Sequence, residues 1–196
     1  MLQSPQNQLT LYAPDGRRKY LTADEWRAFV TQASTCPRED VATFCLLLAH
    51  AGCRISEALA LRQQSFHAGE GCVAIVCLKK RGRIKVRQVP LPDTLLERLS
   101  KFSNTMEPVD RLWPWSRGHA WKLVRDVLTG AGVRDGPHAT AKGLRHALGV
   151  RSVAASIPLN MVQRWLGHES ISTTAVYAEL MGPEERTMAK RLWIES

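Results

Sequence analysis

The chain has 196 residues, is 44% hydrophobic and carries 27 Lys+Arg against 18 Asp+Glu, a formal charge of +9. That length and apolar share bury a proper core as one domain, or one domain with a short extension, while the basic excess biases the surface toward polyanions. The apolar run Phe44 to Ala49 stops at His50 and no other approaches the roughly 20 residues that cross a bilayer, so no membrane partner is expected.

Cys36, Cys45, Cys53, Cys72 and Cys77 are odd in number and show no Cys-x-x-Cys spacing. They argue against a disulfide framework and a cysteine zinc site, and read as reduced, mostly buried side chains of a cytoplasmic protein. The N-terminus lacks the basic-then-apolar order of a signal peptide.

In chain order, residues 1–20 are polar around a turn at Pro14-Asp15-Gly16 and predict a loose N-terminal arm. Thr22 followed three residues later by Glu25 makes a capping box for a first helix through Phe29 and Val30. A second helix from about Arg38 sets Val41, Phe44, Cys45 and Leu48 on one face and stops at Gly52, which puts Arg54 at the start of a short helix through Leu59 and Leu61. A strand is predicted from Cys72 to Leu78 and a partner from about Ile84 to Val89, with Arg81-Gly82-Arg83 turning between them.

Pro92 and Asp93 open another helix, and Trp121, Val124, Val127, Leu128 and Ala131 form the apolar stripe of the next. Further helices are expected from about Thr140 to Ala155, Pro158 to Leu166, Ser170 to Leu180 and Pro183 to Trp193, the two prolines standing in first turns. The expected fold is mainly α with a small antiparallel β-sheet (α+β). On the helix from Ser170, the residues Ile171, Thr174, Ala175 and Ala178 form the expected buried stripe, with Tyr177 off it. Trp113, Trp115 and Trp121 read as core more readily than as base-stacking surfaces, and His138 as a loop residue.

The chemistry is carried by Arg54 in Gly52-Cys53-Arg54-Ile55-Ser56-Glu57, by Lys142-Gly143-Leu144-Arg145-His146, by His168, and by Tyr177 nine residues further on. A tyrosine hydroxyl, with a pKa of about 10, is a poor nucleophile at neutral pH unless cations or a base favour the phenolate. Attack on a phosphodiester builds negative charge on the non-bridging oxygens, which fixed arginines stabilise by paired hydrogen bonds. Arginines, lysines and a histidine around one tyrosine thus make a coherent site for phosphoryl transfer without a metal.

This ordered set, from about Thr22 to Tyr177, resembles the tyrosine recombinases, or phage integrase family. The resemblance implies that residues 21–196 are a recombinase catalytic domain acting on double-stranded DNA as a site-specific integrase or resolvase. Tyr177 would form a 3′-phosphotyrosyl bond and release a 5′-hydroxyl. Arg54 and Arg145 would hold the phosphate, His168 would donate to it, and a hairpin lysine, Lys79 in preference to Lys80, would protonate the leaving oxygen. Glu57 matches the acidic residue after the first arginine and would orient the site. Lys80, Arg81, Arg83, Lys85 and Arg87 read as contacts to backbone phosphates. His146 reads as a group behind the reacting atoms, its contact with phosphate left open.

Two departures accompany the match. Lys142 occupies the place where the family commonly has histidine, and the twenty residues before Leu21 cannot supply the N-terminal DNA-binding domain of about a hundred residues that family members carry. The segment from Gly182 to Trp193 corresponds to a tail that docks on a neighbour, so a homo-oligomer on DNA is expected. Two other classes stay open, an accessory DNA-binding protein with a recombinase fold and an interaction protein acting through its tail.

Overall fold

A computed structural model describes residues 10–78, 84–104, 106–179, 185–186 and 189–190. Thr22 and Glu25 close the expected capping box on α1 (Ala23–Ser34). α2 (Glu39–Ala51) is apolar almost all round and accordingly sits at the centre, with buried residues on every face. Phe44 meets the Trp113 and Trp115 rings edge-on at 5.2 and 5.3 Å. The helix stops at Gly52, which takes the left-handed conformation with φ 58. A side chain there would also strike Leu148, 2.6 Å from an ideal Cβ. The reversal leaves Arg54 as the N-cap of α3 (Ile55–Ala58).

The sheet has three antiparallel strands in the order β1 (Phe66–His67), β2 (Cys72–Leu78) and β3 (Ile84–Pro90). The long pair matches the two strands expected, but Val86 is 55% exposed while Arg87 is buried, so the apolar residues of β3 do not mark its inward face; β1 is too short to leave a periodic signal. The register sets Ile75 opposite Arg87 and Cys77 opposite Lys85.

α4 (Asp93–Ser103) buries Leu95, Leu96 and Leu99, and α5 (Arg117–Gly130) buries Ala120, Val124, Val127 and Leu128. Trp121 departs from its expected place in that stripe and is 47% exposed. Ala120 takes the core-facing position one residue earlier, and the indole lies on the surface with the Arg125 guanidinium 5.3 Å from its centroid. α6 (Ala141–Ala154) and α7 (Leu159–Leu166) follow as expected, but the next helix is short, α8 (Ile171–Ala175), and passes into a 3-10 turn over Val176–Ala178. The expected tail helix over residues 183–193 lies largely outside the described residues.

Two apolar clusters hold these elements together. The larger surrounds α2; the smaller gathers Leu11, Tyr20, Val150, Val153, Val162, Leu166, Val176 and Tyr177. From residue 10 onward the arm is therefore not loose, as its polarity predicts, but a hairpin with Tyr12 bridged to Arg18. Leu11 and Tyr20 are its anchors, and burying a large apolar side chain contributes about 1.5–3 kcal/mol. All five cysteines are free, four of them buried. Among the described residues no helix is long and apolar enough to cross a membrane.

Candidate active site

A cleft of about 790 Å³ opens between the arm, the start of α3, the outer face of α5 and the first turn of α6. Arg54 reaches it from the N-cap of α3, half-exposed, with its backbone N–H donating to Glu57 Oε2 at 2.9 Å and its Nη1 to Glu57 Oε1 at 2.8 Å. Glu57 is buried beneath it and also receives Arg87, whose Nη2 lies 2.7 Å from Oε2. Burial disfavours the Glu57 carboxylate, but the hydrogen bonds and charge of Arg87, with those of Arg54, outweigh it and hold its pKa below the usual carboxylate range.

Arg145 rises from α6 into the same cleft and is buried. Its Nη1 donates to Gly52 O at 2.7 Å and its Nη2 to Leu166 O at 2.5 Å. Burial, and then the neighbouring Arg54, bring its pKa down to about 10, so the guanidinium remains charged at neutrality. Thr140 caps α6 by accepting from Gly143 N at 3.0 Å, which leaves Lys142 on the first turn, exposed and lining the cleft.

His168 follows the left-handed Gly167 that ends α7. Its Nδ1 is 3.0 Å from Thr174 Oγ1, so with the hydroxyl donating, Nε2 carries the proton. Burial first, then Arg145, Arg54 and Arg87, push its pKa down to about 3; the ring is neutral.

Tyr177 lies under this wall, fully buried, its ring near-parallel to that of His168 at 6.2 Å and its oxygen 3.2 Å from His146 Nδ1. Burial pushes the phenol up to about 12, with Arg145 opposing. The expected position off the buried stripe is thus reversed: Thr174, Val176 and Tyr177 are buried and Ile171 is exposed. The chain shifts from α-helix to 3-10 at Val176, and this tighter winding carries the tyrosine inward.

Arg54, Lys142, Arg145 and His168 come together as the sequence predicts. Lys79, Lys80, Arg81 and Arg83 lie outside the described residues, and Lys85 is exposed on β3. Arg87 is not a surface contact to phosphate: it is 3% exposed, paired with Glu57, and donates from Nε to Trp165 O at 2.8 Å. His146 likewise faces the interior beside Tyr177, held down to about 3 by burial first and then by surrounding cations, of which Lys142 ranks first. Lys19, Arg117 and Trp121 also line the cleft, and the sequence reading assigned none of them a role there. His138, expected in a loop, occupies the turn before α6 and is buried.

Among the described residues no cluster of His, Cys, Asp or Glu is placed to hold a metal ion. What the cleft offers is fixed positive charge and hydrogen-bond donors facing a space of about 790 Å³.

A mainly helical domain with this cationic cleft is a recombinase-type catalytic fold. The chain belongs to the phage integrase family, which matches residues 19–182. It is 27% identical to the tyrosine recombinase XerA of Thermococcus onnurineus (strain NA1) over 180 residues, covering 85% of this chain and 60% of that protein. The chain thus spans well under two thirds of that relative's length. Among solved structures, XerA recombinase superposes with a TM-score of 0.75 at 22% identity, covering 90% of this chain and 66% of the other. The XerH site-specific recombinase bound to difH substrate, a pre-cleavage complex, gives 0.70 at 20% identity, covering 93% and 59%.

Proposed function

We propose that the chain cleaves and rejoins double-stranded DNA as a site-specific tyrosine recombinase of the integrase or resolvase type. The observation that carries this reading is the convergence of Arg54, Lys142, Arg145 and His168 on one cleft, with Tyr177 packed directly behind His168. Family membership and the DNA-bound XerH relative support the substrate class.

In the proposed reaction the phosphate is gripped by Arg54 and Arg145, and the neutral His168 donates from Nε2 to a non-bridging oxygen. Lys142 adds charge and a donor where negative charge builds up. The phenol oxygen of Tyr177 attacks phosphorus as its proton passes to solvent, the P–O5′ bond breaks, and the 5′-oxygen takes a proton from a hairpin lysine, Lys79 ahead of Lys80. Reversal by a 5′-hydroxyl of a partner strand reseals the backbone. The bond energy stays in the phosphotyrosine, so neither a metal nor a nucleotide is required. Tyr177 leaves its buried seat for this step through movement of the turn over Val176–Ala178. Residues 182–193 are proposed to dock on a neighbouring copy, giving a homo-oligomer on DNA in the cytoplasm.

The test is incubation with supercoiled plasmid followed by denaturing electrophoresis. Nicked, relaxed or protein-linked DNA that survives EDTA supports the reading. Strict dependence on a divalent ion, or an unaltered plasmid beside intact DNA binding, refutes it, the second outcome favouring an accessory DNA-binding protein.

A further inference from the structure

The arm carries three successive cations, and the structure treats each differently. Arg17 is exposed and paired with Asp15 at 2.6 Å. Arg18 grips Glu25 with two hydrogen bonds of 2.7 and 2.6 Å, and its Nη1 also donates to Tyr20 O at 2.8 Å. Those bonds fasten the arm to the capping box of α1. Lys19 turns the other way and lines the cleft with Arg54, Lys142 and Arg145.

Lys19 is held there from both ends. Its backbone N–H donates to Leu11 O at 2.8 Å within the hairpin, and its Nζ donates to Thr10 Oγ1 at 2.7 Å. Leu11 and Tyr20, on either side of the hairpin, are buried in the cluster that contains Tyr177. An ammonium has three donors; one goes to Thr10, and among the described residues no carboxylate pairs with Lys19.

No acidic residue appears among those lining the cleft, whose charged members are Lys19, Arg54, Arg117, Lys142 and Arg145. Gathering like charges in one concavity disfavours the compact state, and a polyanion reverses that penalty. The cleft is also far larger than the single phosphate that Arg54 and Arg145 would hold. A merely solvated lysine has no need of a hairpin that fixes it at the rim of this cleft.

We propose that Lys19 is a further phosphate-binding residue, taking the DNA backbone phosphate next to the one held by Arg54 and Arg145. The proposal rests on the recombinase reading for the identity of the scissile phosphate, but not for the contact itself. Because the same hairpin also packs over the cluster around Tyr177, the arm joins DNA engagement to the seat of the proposed nucleophile.

The experiment uses the full chain and a short fluorescent duplex of arbitrary sequence, with affinity measured between about 50 and 200 mM salt. Lys19→Ala and Lys19→Gln are expected to lower the slope of log affinity against log salt by roughly 0.9, the share of one phosphate. Lys19→Arg is expected to restore it. Arg17→Ala removes the same charge from the arm outside the cleft and should change the slope much less. Equal effects of Arg17→Ala and Lys19→Ala would overturn the proposal, as would an unchanged slope in Lys19→Ala. So would a loss of binding that follows the melting temperature and is not rescued by arginine. If the parent protein never links to plasmid, the recombinase reading fails while the salt slopes still decide the role of Lys19.

Discussion

The phenol oxygen of Tyr177 lies 3.2 Å from Nδ1 of His146, so the proposed nucleophile is held against α6 behind the cleft rather than over it. The ring rests on Gly149, where an ideal Cβ would come 2.5 Å from Tyr177 Cε1. Only a residue without a side chain lets the aromatic lie this close to the helix.

Tyr177→Phe is expected to abolish denaturant-stable protein–DNA adducts and leave duplex affinity essentially unchanged, because the hydroxyl sits away from the cleft. Its effect on folding should be about 1 kcal/mol, the net value of one hydrogen bond. Adduct gels, duplex titration and denaturant melts measure the three quantities; a persistent adduct removes Tyr177 from its role.

Gly149→Ala should dislodge the ring or strain the contact, destabilising the fold by about 1–3 kcal/mol. Nitration of tyrosines mapped by mass spectrometry tests this directly. Tyr177 should be protected in the parent and reactive in the variant, with half-buried Tyr12 and Tyr177→Phe as references.

Lys142→Ala should slow single-turnover cleavage by roughly 10²-fold, the typical effect of losing one transition-state donor, with little change in affinity. Lys142→His should recover part of the loss, and more at lower pH, because a histidine of pKa about 6.5 is only partly charged at neutrality. Near-normal rates for both variants would reduce Lys142 to an exposed surface cation.

Arg87→Ala leaves Glu57 buried with only Arg54 to compensate it, and removing one partner of a buried pair typically destabilises by about 3–5 kcal/mol. Denaturant melts measure the loss. A change below about 1 kcal/mol, the scale of an exposed ion pair, would show that the pair does not organise this side of the cleft.

Stability should fall on mild acidification. His146 and His168 are held near 3 in the fold against an ordinary 6.5, so from about pH 6.5 downward the unfolded chain takes up protons that the fold refuses. Stability is then complete above pH 6.5 and lost progressively toward pH 3, by up to about 1.4 kcal/mol per pH unit for each fully buried ring. Glu57 is held below its ordinary 4.5, so its contribution is lost only at lower pH and leaves the window from pH 6.5 to 5 to the histidines. His146→Gln should flatten the decline of the melting temperature across that window.

Much of this architecture is legible in the residues themselves. Capping at Thr22, the stop at Gly52 and the extents of β2 and β3 depend on local chemistry, and they position Arg54 and the strand pair. Arg87 stands in a run of cations that reads as a solvated face, although its place two residues from Val89, which is buried on the inward face, marks it as inward too. Tyr177 and Trp121 depart from their helical periodicity because the buried face of a helix is decided by its neighbours. Ala120 could displace the indole, and a 3-10 turn could rotate the phenol inward, without any mark in the periodicity. The arm leaves no mark in the sequence for the same reason: Leu11 and Tyr20 are too few to form a pattern but suffice as anchors.

The two carbonyls that Arg145 grips belong to the last turn of α7 and the residue ending α2. Both helices direct partial negative charge toward the same guanidinium, which makes this side chain a crossbar between segments 93 and 21 residues away in sequence. Three of its five N–H donors remain for an incoming anion. A DNA phosphate settling there would bind a strut already fastened to two helix ends, so filling the cleft would reinforce the frame that holds α2 and α7 together.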